Sequence, residues 1–281
     1  MSKQYRDKYL IGDVSKICNI SKKTLRYYDD IDVIKPEHIS EYNSYRYYSM
    51  DNMHDIMILK YFKQMGYSLS EIRENFNSYN YDYILESLKE KANELREERR
   101  KIENKIKAAM DWKLLIDEAA LVIQFKDEKV IVKEIEERSY PSLKQEFKYC
   151  YKESIINIPW VKLLELSGEE ITGPVILKFN SYQDKISCKI NTATIFQKGL
   201  NDVEEGIGKI NFGGQFLSTY HIGSFEEIEK AYKRIEEFAK ENNYTLKGES
   251  YERYVVDYWT TQEKSLFVTE VLMPIAREEL S

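Results

Sequence analysis

The chain has 281 residues, of which 42% are hydrophobic and 13% aromatic, enough for two modest globular domains with their own cores. Its net charge of −6 is distributed unevenly, because residues 1–75 carry +1, residues 76–120 carry −1 and residues 121–281 carry −6. The acidic C-terminal part is a poor partner for nucleic acid, so any contact with DNA should come from the N-terminal part.

The sequence contains no apolar run long enough for a signal peptide or a membrane span. Its three cysteines, Cys18, Cys150 and Cys188, are scattered along the chain, which fits reduced thiols in a cytoplasm. Three isolated histidines complete a small set of possible metal ligands. We therefore expect a cytoplasmic protein with no metal site, no cofactor and no membrane contact.

The first elements are predicted to be two short helices joined by a tight turn, over residues 9–18 and 22–29, with Ser21 as the cap of the second helix. A helix-turn-helix of this kind places the start of its second helix in the major groove of DNA. That start carries side chains suited to phosphates or base edges: Lys22, Lys23, Thr24 and Arg26. An ordinary basic helix end on a protein surface is the alternative.

A β-hairpin is predicted next, over residues 41–48 with its turn at Asn43-Ser44. It carries Tyr45, Arg46 and Tyr47, whose hydroxyls and guanidinium can bind phosphate oxygens without reading bases. Such a wing beside a helix-turn-helix would grip the DNA backbone. Two more helices are predicted after it, from Met50 to Met65 and from Ser70.

Residues 82–118 contain neither Gly nor Pro and are predicted to form one long helix. Apolar residues recur in it at seven-residue steps, in one row of Leu88, Leu95, Ile102, Ala109 and Ile116. A second row, which two basic residues interrupt, consists of Leu85, Ala92, Arg99, Ile106 and Lys113. So narrow a stripe among charged positions indicates a coiled coil with a second copy of the chain. A solvated spacer helix is the alternative, and the heptads leave the direction of the partner helix open.

From Val130 onward, strand and helix patterns alternate, which predicts an α+β domain. A weak internal repeat relates a strand and helix over residues 130–151 to a strand and helix over residues 216–239. We therefore expect two βαβ-like halves, related by a pseudo-twofold axis, with a cleft where they meet.

The strand over residues 250–259 places Glu252 on the same face as Tyr254 and Tyr258. A carboxylate on an aromatic face is costly to bury unless a positive group meets it, which makes Glu252 a candidate for cation binding. The alternative is that Glu252 is solvated at a strand end or paired with a lysine. Glu270, on the neighbouring strand, is a second carboxylate that we expect to be paired or exposed.

The N-terminal half resembles the MerR family of transcription regulators. The resemblance rests on Ile11-Gly12-Asp13-Val14-Ser15, Leu25-Arg26-Tyr27-Tyr28-Asp29, Tyr45-Arg46-Tyr47-Tyr48 and Met65-Gly66-Tyr67-Ser68-Leu69-Ser70-Glu71-Ile72, in that order. It implies a homodimer with an antiparallel coiled coil and two winged helix-turn-helix heads on double-stranded promoter DNA, which the dimer bends so that RNA polymerase can engage it. By position, the resemblance implies that Arg26, Tyr27, Arg46 and Tyr47 contact the backbone and groove, and that Lys22, Lys23 and Thr24 give specificity.

The metal sensors of that family carry cysteines around the end of the long helix, where this chain has Asp111-Trp112-Lys113-Leu114-Leu115-Ile116-Asp117-Glu118. With no Cys or His in that stretch, a metal sensor is disfavoured. Cys150 and Cys188 have no potential ligands near them in the sequence, which also disfavours a redox sensor.

The C-terminal part resembles the GyrI-like small-molecule-binding domain through Ser224-Phe225-Glu226-Glu227-Ile228, Tyr251-Glu252-Arg253-Tyr254 and Val271-Leu272-Met273-Pro274-Ile275. A MerR-type head on such a domain is similar to BmrR-type multidrug-sensing activators. The resemblance implies that Glu252 meets a lipophilic cation amid aromatic rings. The expected pocket residues are Tyr254 and Tyr258 on the strand of Glu252, with Phe147, Tyr149, Tyr151, Trp160 and Tyr182 as walls from the first half.

These expectations divide the chain into a winged helix-turn-helix domain (residues 1–75), a coiled-coil helix (76–120) and a GyrI-like domain (121–281). The expected function is a ligand-responsive transcription regulator that is not an enzyme. Two alternatives stay open: a hydrolase of small electrophilic compounds that uses Glu252 and Tyr254 as acid/base partners, and a C-terminal domain that only docks another protein.

Overall fold

The computed structural model describes residues 8–78, 80–168, 170–200 and 207–276. Its internal contacts divide the chain into two compact units, with the division between Lys101 and Ile102. Each unit is described by itself below. Within the described residues, no helix combines the length and the apolar character that a bilayer crossing requires.

The N-terminal unit begins with a helix-turn-helix, followed by a small sheet and two more helices. Its elements are β1 (Tyr9–Leu10), α1 (Ile11–Ile17), α2 (Lys22–Asp30), β2 (His38–Ile39), β3 (Arg46–Tyr48), α3 (Met50–Gln64) and α4 (Leu69–Ser78). Asn19, with φ of 47°, makes the left-handed turn between α1 and α2. Val14, Leu25, Tyr48 and Ile56 are buried in the core that joins these elements.

The wing is a three-stranded antiparallel sheet in the order β1-β3-β2. Our prediction began its first strand at Glu41, which is wrong, because Glu41 lies in the connecting turn and the strand is His38–Ile39. The turn is longer than two residues: the backbone N–H of Ser40 donates to the carbonyl of Tyr45 at 2.9 Å, and Ser44 adopts φ of 56°. A local turn signal alone does not specify that closure.

The long helix α5 runs from Tyr81 to Phe125. The heptad residues Leu88, Leu95 and Ile102 are 36%, 43% and 56% exposed, so the apolar stripe lies on the surface of the chain. The helix continues beyond the predicted end at Glu118. Its last turns use a different face, since Leu115, Ala119 and Val122 are buried against Val255, Val256 and Val268 of the C-terminal unit.

The C-terminal unit is a closed antiparallel barrel with helices packed on it. Its further elements are β4 (Ile131–Glu146), α6 (Tyr151–Ile155), α7 (Ile158–Ser167), β5 (Ile171–Phe179), α8 (Tyr182–Ile186), β6 (Thr192–Gly199), β7 (Gly208–Ile222), α9 (Glu229–Glu241), β8 (Ser250–Val256) and β9 (Val268–Pro274). The strand order around the barrel is β4-β6-β5-β8-β9-β7.

Each half of this unit is a split βαβ arrangement. In the first half β6 lies between β4 and β5, and in the second half β9 lies between β7 and β8, with every pair antiparallel. The outer two strands of each half are therefore parallel and are joined through helices, as the predicted βαβ-like halves require. We did not predict the closure into a barrel. It results from the pairing of β4 with β7 and of β5 with β8, which are contacts between distant segments.

One glycine is required where β4 and β7 pair. The register of β4 shifts between Ile135 and Arg138, opposite Gly213 of β7. A Cβ atom on Gly213 would fall against the backbone of Glu137, far inside van der Waals contact. The irregular strand can approach β7 only because this position has no side chain.

Candidate functional site

The start of α2 presents the residues expected to contact DNA. Ser21 caps the helix, because its Oγ accepts a hydrogen bond from the backbone N–H of Thr24 at 2.9 Å. Lys22, Lys23 and Arg26 are exposed, whereas Thr24 is half-buried and shares a hydrogen bond of 2.7 Å with the hydroxyl of Ser21. Tyr27 is 51% exposed on the next turn. These side chains are available to a ligand on one helix end, with Thr24 partly committed to the cap.

The wing residues differ in their exposure and in their contacts with the rest of the unit. Tyr45 is 56% exposed, and the half-buried Tyr47 stacks on His38 with ring centroids 6.1 Å apart. The Nε of Arg46 donates to Oδ2 of Asp29 at 2.7 Å, which ties the wing to the end of α2. Arg46 therefore has a structural contact in addition to the DNA contact expected of it.

In the C-terminal unit, β8 carries the candidate carboxylate on the face that packs against the helices. Glu252 is fully buried. The Tyr232 hydroxyl donates to Oε1 at 2.8 Å, and the Tyr254 hydroxyl donates to Oε2 at 2.6 Å. These two hydroxyls hold the carboxylate in one orientation, and they satisfy part of its hydrogen-bonding capacity.

A lysine completes this site. Lys185 of α8 is 4% exposed at its side chain, with Nζ 3.1 Å from Oε1 of Glu252, and it donates a hydrogen bond to the Tyr151 hydroxyl at 2.6 Å. Aromatic ring centroids surround the ammonium at 4.9–5.9 Å, from Phe147, Tyr149, Tyr151, Phe179 and Tyr232. The alternative that Glu252 pairs with a lysine is thus what the structure contains.

Burial makes the surrounding hydroxyls poor acids. It raises the pKa of Tyr151, Tyr232 and Tyr254 well above the usual value, and the negative charge of Glu252 raises these pKa values further. The phenols stay protonated at neutral pH and act as donors or as neutral acceptors. The charged groups of the site are therefore Glu252 and Lys185, which balance each other.

A cavity of about 440 Å³ opens above this pair. The lining residues are Tyr149, Cys150, Tyr151, Lys152, Lys185, Ile186, Cys188, Phe225, Glu226, Ile228, Glu229, Tyr232 and Tyr258. Tyr149, Tyr151 and Tyr258 were expected in the pocket and line this cavity. Glu252 and Tyr254 do not line it. Glu252 lies behind its partner Lys185, and Tyr254 packs on the rings of Tyr151 and Phe225.

Of the expected wall residues, Phe147 is 1% exposed and does not line the cavity, although its ring centroid lies 5.3 Å from Nζ of Lys185. Two others, Trp160 and Tyr182, lie elsewhere. Trp160 of α7 is 1% exposed in the core, where its Nε1 donates to Oε1 of Gln197 at 2.8 Å. Tyr182 begins α8 and does not line the cavity. Both are aromatic residues of the first half, and the sequence pattern does not distinguish an aromatic core residue from an aromatic pocket residue.

Sequence reasoning missed Lys185, Tyr232, Phe179 and Phe225. Phe225 lies in the segment that carries the GyrI-like resemblance, and Tyr232 lies on the buried face of the amphipathic helix α9. The available signal for Tyr232 was therefore a hydroxyl on an otherwise apolar helix face. No sequence pattern indicated that Lys185 belongs to the site. It lies in a short polar segment, and only the fold places it against β8.

The opposite face of β8 carries a second charged cluster. Arg253 donates from Nε to Oε2 of Glu270 at 2.6 Å and also pairs with Glu118 of α5. Lys133 donates to Oε1 of Glu270 at 2.6 Å, so that, of the two states expected for Glu270, paired or exposed, the structure contains the paired one. Burial alone would raise the pKa of Glu270, but Arg253 and Lys133 outweigh it and lower that pKa. Neighbouring residues of one strand thus contact the cavity site and α5.

Metal binding has no support in the part of the chain that the structure describes, where no group of His, Cys, Asp and Glu is arranged to hold an ion. Cys18 is buried in the N-terminal core. Cys150 and Cys188 are exposed, and both line the cavity.

Fold and site together define a protein with a winged helix-turn-helix unit and a barrel unit whose helices line a cavity of about 440 Å³. Residues 9–79 match the MerR HTH family regulatory protein, and residues 129–276 match the GyrI-like small molecule binding domain. The chain belongs to the MerR family of transcription regulators, with a C-terminal GyrI-like small-molecule-binding domain. The resemblance stated from the motifs is confirmed.

Individual relatives cover different parts of the chain. It is similar to the Multidrug-efflux transporter 2 regulator of Bacillus subtilis (strain 168), at 27% identity over 272 residues, which are 92% of each protein. The solved structure "Cryo-EM structure of EcmrR-DNA complex in EcmrR-RPo" covers 95% of this chain and 99% of its own, with 21% identity and a TM-score of 0.44. The "Crystal structure of a hydrolase from Listeria innocua" covers 53% of this chain and 93% of its own, with 13% identity and a TM-score of 0.39.

Proposed function

We propose that this regulator senses lipophilic, cationic compounds through its C-terminal domain and responds at promoter DNA. The observation that supports the cationic ligand is the fully buried Glu252, whose partner Lys185 is surrounded by aromatic rings and lines a cavity of about 440 Å³. A buried carboxylate needs a positive partner, and aromatic faces attract cations without demanding one shape. Such a site suits a sensor of varied compounds.

The DNA-binding part of the proposal assigns residues 1–75 to promoter recognition. Exposed basic side chains at the start of α2 and aromatic and basic side chains of the wing would contact DNA: Lys22, Lys23, Thr24, Arg26, Tyr27, Tyr45, Arg46 and Tyr47. Residues 76–120 would join two copies of the chain, since the heptad row of Leu88, Leu95, Ile102 and Ile116 is apolar and exposed on α5. The dimer would act in the cytoplasm, together with RNA polymerase at the promoter.

The proposal assigns residues 121–281 to ligand binding, and a titration tests it. The full chain is titrated by calorimetry with (naphthylmethyl)trimethylammonium and with its uncharged carbon isostere, neopentylnaphthalene. We expect the cation to bind more tightly, and we expect Glu252→Gln to lose the cation selectively. Glu237→Gln, at an exposed position of α9, is the matched control for the loss of one negative charge. Equal binding of both compounds would contradict the cationic part of the proposal.

The hydrolase alternative would need Glu252 and Tyr254 to reach a substrate. Both are buried, and neither lines the cavity. Formation of a product from a bound compound would favour the enzyme instead. The docking alternative would be favoured if neither the cation nor the uncharged compound changed the tryptophan fluorescence, while a protein partner changed it.

A further inference from the structure

We propose that Lys185 is a tethered cation that occupies the ligand site of the free protein, and that an external cation reaches Glu252 by exchange with it. This inference rests on the proposed function, because it explains how the same site would select its ligands. It concerns a residue whose part in ligand binding follows from the geometry of the site.

The Lys185 ammonium lies in surroundings that suit a bound cation. Nζ of Lys185 has a carboxylate at 3.1 Å, a phenol oxygen at 2.6 Å and aromatic ring centroids at 4.9–5.9 Å. A carboxylate and several ring faces are the groups that proteins use to hold ammonium ligands. The protein has thus supplied its own cation to a site of that chemistry.

A molecule in the cavity can reach Lys185 but not Glu252. Lys185 lines the cavity, whereas the Glu252 carboxylate beneath it does not. Tyr232 and Tyr254 hold the carboxylate from the sheet and helix side. A ligand that enters the cavity therefore meets the ammonium before the carboxylate, and a cation can pair with Glu252 only after Lys185 has moved.

The side chain of Lys185 can leave Glu252 while helix α8 stays folded. The Tyr149 hydroxyl donates to the backbone carbonyl of Lys185 at 3.3 Å, which holds the main chain in place. The side chain is a flexible four-carbon stem with a strongly hydrated head, and the open cavity lies next to it. Glu226 and Glu229 also line the cavity and offer the displaced ammonium new partners.

Exchange of this kind sets a selectivity rule. An uncharged compound cannot replace Lys185, because it would leave Glu252 buried without a positive partner. A small hydrated amine gains little, because water holds it as strongly as it holds lysine. A lipophilic cation gains both the ion pair and burial of its apolar surface. Its apparent affinity is reduced by the fraction of molecules in which Lys185 occupies the site.

The first test measures the exposure of Lys185 in the wild-type full chain. The protein is treated briefly with an amine-acetylating reagent, with and without saturating (naphthylmethyl)trimethylammonium, and each lysine is quantified by mass spectrometry. We expect acetylation of Lys185 to be slow without the cation and several-fold faster with it. Lys230, exposed on α9, is the internal control and should be acetylated equally in both samples.

The second test compares cation affinity in variants by calorimetry. Lys185→Met removes the competing charge and keeps an apolar stem, so it should bind the cation about tenfold tighter or more, with no gain for neopentylnaphthalene. Lys185→Gln serves the same purpose if the methionine variant does not fold. Tighter cation binding by either variant, or binding by a variant alone, supports the exchange.

Other outcomes separate the two proposals. If the wild type binds the cation through Glu252, but Lys185 stays protected and its removal does not increase affinity, the exchange is refuted and the proposed function stands. If neither the wild type nor a folded Lys185 variant binds the cation, both proposals are refuted.

Discussion

Asp257 provides a direct test of the electrostatics of the C-terminal unit. It is 3% exposed, and burial raises its pKa from 3.8 to about 6, although a hydrogen bond of 2.8 Å from the backbone N–H of Trp259 opposes the shift. Because the pKa is higher in the folded state than in the unfolded state, the folded state binds the proton more tightly. The free energy of unfolding should therefore fall as the pH rises from 3.8 to 6, and stay lowered above that.

The size of this effect follows from the shift. A rise of about two pKa units lowers the free energy of unfolding by about 3 kcal/mol at neutral pH, of which about 1 kcal/mol is already lost at about pH 4.5. The Asp257→Asn variant lacks this titration. Its stability relative to the wild type should be about 2 kcal/mol more favourable at about pH 7.5 than at about pH 4.5, whatever constant cost the buried amide introduces.

Urea unfolding of the full chain, followed by tryptophan fluorescence at both pH values, measures this difference. All three tryptophans, Trp112, Trp160 and Trp259, belong to the C-terminal unit, so the signal reports that unit. Asp127→Asn, at an exposed position, is the control and should follow the wild type at both pH values. If Asp257→Asn also follows the wild type in parallel, the assignment of a raised pKa to Asp257 is wrong.

Three further predictions concern other contacts. Lys185→Met should cost about 3–5 kcal/mol in the wild type but about 1 kcal/mol or less in the Glu252→Gln background, and additive costs in the same urea assay would contradict a coupled pair. Arg46→Ala should reduce the salt slope of promoter binding by about one, whereas Asp29→Asn, which breaks the same ion pair, should not; equal slopes in a salt-dependent binding assay would leave Arg46 a structural role only. Gly213→Ala should lower stability by about 2–3 kcal/mol, and an unchanged urea midpoint would contradict the close approach of β4.

Much of the N-terminal unit could be predicted because its signals are local. Ser21 caps α2, as the residue type and its position indicated, and the long helix follows from a run without Gly or Pro. The errors lie where a distant contact decides a boundary. The wing begins at His38 because β2 pairs with β3, and α5 continues past Glu118 because Val122 packs on the barrel.

The candidate site shows the same division. Strand alternation was sufficient to place Glu252 and Tyr254 on one face of β8. On that face the hydroxyl of Tyr254 donates to the carboxylate of Glu252. Alternation could not tell that Trp160 belongs to the core, because an aromatic residue has the same pattern in a core and in a cavity wall. It also could not find the partner of Glu252.

From the sequence alone come the family, the order of its units, the amphipathic long helix and the carboxylate of the proposed ligand site. The family follows from a resemblance of motifs, and the other features follow from residue types and from periods of two or seven, which are readable along the chain. The closure of the barrel, the separation of core from cavity and the pairing of Lys185 with Glu252 are contacts between segments far apart in sequence. Only the tertiary structure decides them, because residues far apart in sequence come into contact only when the chain has folded.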